Sequence, residues 1–178
     1  MTIMDLKDYI RSIKDYPKKG ILFRDITTLI KNETAFEETI NQIIERSKKY
    51  KVDKIAAIES RGFVFASAVS YILKKPFIML RKKNKLPADV HSVDFELEYG
   101  TATIEVHKDS ISENDSVLII DDLIATGGTA EAAAKLVEIS KGKVAAFIFV
   151  INLFDLGGCD NLLNKGYKVE NLMDFPGH

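Results

Sequence analysis

Val117-Leu118-Ile119-Ile120-Asp121-Asp122-Leu123-Ile124-Ala125-Thr126-Gly127-Gly128-Thr129 is the stretch of sequence that decides the fold. An apolar strand ends in two carboxylates, a loop of small residues follows, and a helix is predicted to begin at Thr129. In a parallel sheet, ligands bind at the carboxyl ends of the strands. Because a loop of alanine, threonine and glycine leaves backbone N–H groups open at a helix N-terminus, this segment favours an anion such as phosphate.

The two adjacent acids, Asp121 and Asp122, indicate which kind of molecule carries that phosphate. Two carboxylates would repel a phosphate that they faced, but they can accept hydrogen bonds from sugar hydroxyls. The segment therefore predicts a site for a ribose 5-phosphate group. A P-loop needs a lysine after Gly128, and a dinucleotide site needs G-x-G-x-x-G; phosphatases with a carboxylate nucleophile usually separate their aspartates by one residue. The remaining alternative is a capped turn without a ligand, in which two acids and two glycines would only lower stability.

Strand and helix patterns alternate on both sides of this segment. A helix is predicted over residues 3–15, and a capping box at Thr34–Glu37 predicts a second helix that ends near Tyr50. The remaining predicted strands are 55–58, 76–80, 116–120, 144–151 and 167–172; the helices are 63–73 and 129–140, with a turn at 59–62 and a loop at 121–128. Continuous apolar strands between helices indicate an α/β fold with a mostly parallel central sheet flanked by helices.

Residues 81–106 interrupt that alternation. The first part, Arg81–Pro87, is basic and loop-like, and two segments with period-2 alternation follow on either side of Gly100. This pattern predicts a half-exposed antiparallel ribbon. A polar insertion of this kind in an α/β domain is commonly a lid or a binding loop.

The composition is that of one globular domain spanning residues 1–178, with 25 basic residues, 26 acidic residues and a net charge of −1. That balance argues against nucleic acid or a membrane surface as a partner. The longest apolar run has eight residues, Val144–Ile151, and the N-terminus lacks the pattern of a signal peptide. The single cysteine, Cys159, favours a reducing compartment, here the cytoplasm, and the three histidines show no metal-ligand spacing.

The near-zero net charge conceals separate blocks of charge. Residues 74–85 contain six basic side chains and no acid, whereas residues 89–98 contain four acids. The net charge therefore does not argue against a small, heavily phosphorylated substrate that is held by local groups.

Several motifs in order resemble one family. Residues 121–129 resemble the phosphoribosyl pyrophosphate signature of type I phosphoribosyltransferases. Further segments resemble the adenine phosphoribosyltransferases within that family, namely 15–27, 59–63, 81–87, 97–100, 150–153, 156–158 and 175–178. The likeness covers almost the whole chain. It departs at Lys19, where the family often has proline, and at Asn84, where it often has glycine.

The resemblance implies a type I phosphoribosyltransferase-like fold with a small N-terminal hood for the base (residues 1–33) and a mobile lid (residues 81–106). It implies that adenine and 5-phosphoribosyl 1-pyrophosphate (PRPP) give AMP and pyrophosphate through an oxocarbenium-like transition state. Mg²⁺ would be held mainly through the substrate pyrophosphate, without a dedicated set of protein ligands. A homodimer is the habit of the family.

The resemblance also implies roles for individual residues. Asp121 and Asp122 would bind the ribose and stabilise its charge, and Glu98 would help to move the adenine proton, beside Tyr99 in the lid. Further expected groups are Ala125, Thr126, Gly127, Gly128 and Thr129 for the 5′-phosphate; Ser60, Arg61, Arg81 and Lys85 for pyrophosphate; and Ile21, Phe23, Arg24 and Leu123 for adenine. Lys82 is as well explained as a solvated side chain, and a cis peptide is expected between Glu59 and Ser60.

Two alternatives to this activity stay open from the sequence. One is a non-catalytic ligand sensor on the same fold that controls transcription, although 178 residues leave little room for a DNA-binding domain. The other is the same transfer to a different base, either hypoxanthine, xanthine or a pyrimidine.

Overall fold

The structure, a computed structural model, describes residues 4–97 and 100–178. A 3₁₀ helix at Leu6–Tyr9 precedes the hairpin of β1 (Arg11–Lys14) and β2 (Leu22–Asp25), followed by α1 (Thr27–Ile30) and α2 (Glu33–Ser47). The chain then alternates through β3 (Lys54–Ile58), α3 (Arg61–Leu73), β4 (Phe77–Lys82), β5 (Val90–Glu96), β6 (Thr101–His107), β7 (Ser116–Ile124), α4 (Gly128–Ile139), β8 (Lys143–Leu153), a 3₁₀ helix at Phe154–Leu156, α5 (Gly158–Asn164) and β9 (Val169–Phe175).

In the described part of the chain, seven strands form the main sheet in the order β5-β6-β4-β3-β7-β8-β9. The five strands from β4 to β9 in that order pair in parallel, and the ribbon of β5 and β6 joins the edge at β4 in antiparallel fashion. The predicted α/β architecture is confirmed, as is the antiparallel ribbon within residues 81–106.

The central strands are buried because the sheet is covered on both faces. One face packs against α2 and α3, where Ile55, Leu118 and Phe65 lie in a common core. The other packs against α4, where Ile119, Phe147 and Leu136 are fully buried. Strands covered on both faces need apolar side chains at every position, which explains their continuous apolar runs. None of the helices described has the length and apolar character needed to cross a membrane.

The predicted N-terminal helix over residues 3–15 is wrong for the residues the structure describes. Only Leu6–Tyr9 forms a short 3₁₀ helix, and Arg11–Lys14 is a strand paired with Leu22–Asp25. Leu6 and Ile10 are both buried, so the first turn of the predicted apolar helix face does pack against the core. Beyond it, the pairing of Ile13 with Phe23 across the hairpin decides the conformation, because ladder hydrogen bonds outweigh weak helix propensity.

Two further element boundaries, the start of α2 and the end of β7, also differ from prediction. α2 begins at Glu33 because the side chain of Asn32 accepts a hydrogen bond from the N–H of Ala35, so the predicted capping box at Thr34–Glu37 lies inside the helix. Strand β7 continues through Ile124, since its pairing with β8 extends to Asn152. Asp121 and Asp122 therefore belong to a strand and not to the predicted loop, which gives their backbone a fixed position.

Candidate active site

A cleft of about 470 Å³ opens at the carboxyl ends of β3, β4 and β7. Its walls are the turn after β3, the end of β7 and the loop that leads into α4. The lining residues are 58–61, 82, 121–130 and 149. The residues predicted for the ribose, for the 5′-phosphate and for part of the pyrophosphate thus line one cavity, together with Leu123 from the adenine set.

Asp121 and Asp122 are held by close packing at the end of β7. The backbone N–H of Asp122 donates to Oδ1 of Asp121 at 2.9 Å, and Asp122 is 5% exposed. A Cβ atom on Gly62 would lie 2.7 Å from that same Oδ1 and 3.1 Å from the carbonyl oxygen of Ile120. Gly62 is therefore needed for the position of Asp121, a role that sequence reasoning missed because the contact joins separate elements.

Arg61 faces Asp122 from the first residue of α3. Its Nε lies 2.7 Å from Oδ2 of Asp122, and its guanidinium lies 5.6 Å from the centre of the Phe23 ring. The expected cis peptide between Glu59 and Ser60 comes directly before this helix. In this structure the arginine predicted for pyrophosphate thus forms an ion pair with one of the two predicted ribose carboxylates.

Burial raises the pKa of both carboxyl groups. For Asp121, burial is reinforced by the negative charge of Asp122, so its pKa lies well above the usual range. For Asp122, burial is again the largest effect, and the guanidinium of Arg61 opposes it. A proton held by the pair is therefore favoured on Asp121, while the negative charge is favoured on Asp122.

The loop predicted to hold phosphate runs from Ala125 to Gly127 and enters α4 at Gly128. Gly127 has a φ of 93°, a conformation that side chains other than glycine rarely adopt, and no side-chain hydrogen bond caps α4. Residues 128–130, the first turn of α4, line the cleft, and no side-chain acceptor caps the N-terminus of this helix. This is the arrangement in which helix N-termini bind anions.

Gly158, at the start of α5, supports this loop from behind. Its N–H donates to the carbonyl of Ala125 at 3.0 Å, and a Cβ atom at this position would lie 2.3 Å from that oxygen. The side chain of Asn161 also donates to the carbonyl of Thr126 at 3.3 Å. The Gly157-Gly158 pair in the sequence was a signal that could have indicated such a close approach.

The basic residues of β4 divide differently from the prediction. Arg81 pairs with Glu59, whose carboxylate also accepts the backbone N–H of Lys82 at 3.0 Å. That backbone bond, with the contribution of Arg81, holds the pKa of Glu59 below its usual range. Arg81 and Lys85 do not line the cleft, whereas Lys82 does.

The residues predicted for adenine approach the cleft from the N-terminal hairpin. Phe23 contacts Arg61, and Tyr16 packs edge-on against Phe23 with 5.1 Å between ring centres. Ile21 is exposed, and the Arg24 side chain is buried away from the cleft lining. Glu98 and Tyr99 lie outside the described residues.

Comparison with known proteins places this cleft in a family. The sequence profile described as "Phosphoribosyl transferase domain" matches residues 25–166. A curated relative from Pelagibacter ubique, named adenine phosphoribosyltransferase, is 86% identical over 98% of this chain and 100% of its own length. The chain belongs to the adenine phosphoribosyltransferase family.

Solved adenine phosphoribosyltransferases have the same fold. The structure from Thermoanaerobacter pseudethanolicus matches with a TM-score of 0.92 and 45% identity, covering 96% of this chain and 98% of that chain. The Saccharomyces cerevisiae enzyme, described in complex with an imino-altritol bisphosphate and adenine, matches with a TM-score of 0.88 and 34% identity over 94% and 96% of the two chains. The family resemblance inferred from the motifs is confirmed.

Proposed function

We propose that this chain transfers the 5-phosphoribosyl group of PRPP to adenine, giving AMP and pyrophosphate. One observation carries the proposal: the half-buried carboxylate of Asp121 and the buried carboxylate of Asp122 lie beside a loop and helix N-terminus that are open to an anion, in one cleft. Membership of the adenine phosphoribosyltransferase family supports adenine as the base.

Asp121 and Asp122 are the groups proposed to bind the ribose and to stabilise the transition state. As the bond to pyrophosphate breaks, positive charge develops on the sugar, and a carboxylate in a site of low dielectric stabilises that charge strongly. Because both side chains are held by strand β7, they need little reorganisation during the reaction. Residues 125–129 would hold the 5′-phosphate through backbone N–H groups.

Arg61 is proposed to change partner when PRPP binds. In the free protein its guanidinium neutralises Asp122, and it is half exposed at the mouth of the cleft. A pyrophosphate group offers more negative charge and a bidentate acceptor, so it competes well for the guanidinium. That exchange would leave Asp122 free for a ribose hydroxyl. Ser60 and Lys82 line the same part of the cleft, and Arg81 and Lys85 remain candidates for pyrophosphate once the lid closes.

Adenine is proposed to lie between the hairpin and the end of β7. Phe23 and Leu123 supply apolar contacts, and backbone groups of Ile21 and Arg24 read the edge of the base. Hydrogen bonds of this kind discriminate steeply between bases, because a mismatched partner leaves a buried polar group unpaired. Glu98, with Tyr99 beside it in the lid, is proposed to move the adenine proton, a role that rests on the resemblance.

Mg²⁺ is proposed to enter with PRPP. Among the described residues, no group of three His, Cys, Asp or Glu side chains converges as a metal site. Three carboxylates from the described part of the chain line the cleft, and that of Glu59 is paired with Arg81. The other two, Asp121 and Asp122, fit an ion that keeps most of its ligands as water and substrate phosphate. The ion would neutralise charge on the leaving pyrophosphate.

A direct assay tests this function. The purified protein is incubated with Mg²⁺, PRPP and either adenine, hypoxanthine, xanthine or uracil, and nucleotide and pyrophosphate are measured. We expect AMP and pyrophosphate in equal amounts from adenine only. Turnover of hypoxanthine without turnover of adenine would reject the assignment of the base. Nucleotide binding without turnover of any base would favour the ligand sensor.

We propose the cytoplasm as location and a homodimer as the functional unit. The proposed dimer surface is an apolar patch formed by Val64 and Tyr71 of α3 and Met79 of β4, with Tyr71 85% exposed. Val64 and Tyr71 are seven residues apart in α3 and therefore share a helix face. Met79 pairs with Ala57 of β3, and the side chain of Ala57 packs in the core between the sheet and α3. Met79 therefore lies on the sheet face that α3 covers. Contiguous patches of exposed apolar side chains often mark the surfaces through which proteins associate.

A further inference from the structure

Arg24 is a buried arginine whose side chain points away from the cleft. It is 8% exposed; its Nη1 donates to Oγ of Ser12 at 2.6 Å, and its Nη2 donates to the carbonyl of Pro176 at 3.0 Å. Its guanidinium also lies 4.6 Å from the centre of the Phe175 ring. Burying a guanidinium is unfavourable unless its donors are paired. Nη1 and Nη2 are paired, whereas the buried Nε has no hydrogen-bond partner among the described residues, so the two bonds that Arg24 makes are what fixes it and the hairpin to the segment after β9.

The segment after β9 is in turn fixed to the turn after β8. The N–H of Gly177 donates to Oδ1 of Asp155 at 2.6 Å. A Cβ atom on Gly177 would lie 2.8 Å from that oxygen and 2.8 Å from Cγ of Leu156, so the two segments are in close contact. Asp155 belongs to the 3₁₀ helix that leads directly into Gly157-Gly158.

The same turn holds the loop proposed to bind phosphate. Gly158, which lies three residues after Asp155 in the chain, donates its backbone N–H to the carbonyl of Ala125. Three hydrogen bonds, joined by short stretches of backbone, therefore connect the phosphate loop to the hairpin: Gly158 to Ala125, Gly177 to Asp155, and Arg24 to Pro176. We call residues 154–158 and 175–177 the tail bridge.

We propose that the tail bridge sets the distance between the base and the ribose, and that Arg24 and Asp155 are positioning residues for adenine. This inference rests on the proposed function. The phosphate loop would hold one substrate and the hairpin the other, and glycosyl transfer requires their reacting atoms to be roughly 3–3.5 Å apart. Asp155 contacts Gly177 on the hairpin side of the bridge, and Gly158 contacts Ala125 on the other side. Loss of the bond to Asp155 should therefore move the base while the bond that supports the phosphate loop stays in place.

Asp155 allows a sharp test, since it is exposed and one acceptor oxygen is all that the bridge requires of it. Asp155→Ala removes the acceptor, whereas Asp155→Asn retains Oδ1. Asp160→Ala, an exposed acid in the neighbouring α5, is the matched control. We expect Asp155→Ala to raise KM for adenine roughly 3- to 10-fold, about the effect of one hydrogen bond. PRPP affinity should change less than about 2-fold, and Asp155→Asn and Asp160→Ala should resemble the unaltered protein.

Arg24→Lys is the second variant, because lysine retains the charge but cannot bond Ser12 and Pro176 in the same geometry. It should raise KM for adenine as Asp155→Ala does. Hydrogen exchange provides a readout that does not depend on activity: residues 11–25 should exchange faster in both variants and at the normal rate in Asp155→Asn. Unchanged exchange and unchanged KM in Asp155→Ala would overturn the inference. If the unaltered protein does not use adenine, the proposed function fails, and the exchange result still decides whether the bridge holds the hairpin.

Discussion

The side chain of Asp121 lowers the folding stability of the free protein at neutral pH, because of where it lies in the candidate site. It is packed against Gly62, next to a second acid, and its pKa is raised by burial and by the charge of Asp122. A carboxyl group whose pKa is raised on folding binds its proton more tightly in the native state. Its contribution to stability is therefore present at low pH and is lost as pH rises through the native pKa.

Asp121→Asn should stabilise the free protein at neutral pH and reduce its activity. The amide oxygen can still accept the N–H of Asp122, while the buried charge is absent. We expect Tm to rise by about 2–4 °C at pH 7, roughly 1 kcal/mol in a chain of this size, and the gain to disappear near pH 4, where the carboxyl is protonated. Asp160→Asn is the control, and a gain independent of pH would contradict the explanation.

Together, Asp121→Asn and Asp122→Asn should leave a folded protein that has lost most of its kcat/KM for PRPP. The two amides retain the shape of the site but not its negative charge, which is the feature proposed to stabilise the transition state. Steady-state kinetics beside a circular dichroism spectrum measure both effects. Near-normal kcat/KM would remove these residues from the mechanism.

Lys82 and Lys83 form a matched pair for the pyrophosphate site. Lys82 lines the cleft and Lys83, one residue further, does not. We expect Lys82→Gln to raise KM for PRPP roughly 3- to 10-fold through loss of one charge-assisted contact, and Lys83→Gln to leave it within about 2-fold. Equal effects of the two variants would mean that the general positive charge of the segment matters rather than one contact.

Among the secondary-structure elements, α5 supports the loop proposed to bind phosphate through its first residue, Gly158. Gly158 approaches the backbone of Ala125 so closely that any side chain must displace the loop. Cys159, the next residue, is half-buried, and burial with the charges of Asp174 and Asp160 raises its pKa to about 11. Its thiol is therefore protonated at neutral pH and is a weak nucleophile.

Gly158→Ala should weaken PRPP binding roughly tenfold or more and lower the free energy of unfolding by about 1–3 kcal/mol, the usual effect of overpacking. Cys159→Ala, which shortens a side chain on the same turn of α5, should leave PRPP affinity within about 2-fold. Calorimetric titration and thermal unfolding measure the two effects. Intact PRPP affinity in Gly158→Ala would mean that the loop does not need its support.

The N-terminal segment is a part of the chain where helices and strands could not be predicted from the local sequence pattern. Periodicity located most of the helices and strands from residue 50 onward, because each of those elements buries its apolar side chains on its own account. It missed the short α5 and assigned residues 121–124 of β7 to a loop. It mistook Arg11–Lys14 for helix, because that strand exists only through its pairing with β2. Pairing between segments is invisible to a pattern read along one of them.

At the scale of the whole molecule, the apolar patch on α3 and β4 predicts the state of assembly. Tyr71→Asp should convert a dimer into a monomer in sedimentation experiments, because a charge at the centre of an apolar contact has no partner. Leu163→Asp, a half-exposed apolar residue of α5, is the control and should leave the dimer intact. An unaltered protein that sediments as a monomer, or a Tyr71→Asp dimer, would contradict the proposed surface.

The sequence alone determined the architecture and most of the residues that line the cleft. An apolar strand, two acids, a loop of small residues and a helix are contiguous in residues 117–129, so their order is sufficient to predict an α/β site for a phosphorylated sugar. The alternation of strands and helices determined the covered parallel sheet for the same reason: each element carries its own apolar pattern.

Only the tertiary structure decided which side chains meet. Arg81 and Lys82 are adjacent in the chain and lie on opposite faces of β4, and pairing with β3 and β6 sets which of them faces the cleft. Arg61 meets Asp122, Gly158 meets Ala125, and Arg24 meets Pro176 across 152 residues. Such contacts depend on how separate elements pack, and the spacing of residues along the chain carries no information about that packing.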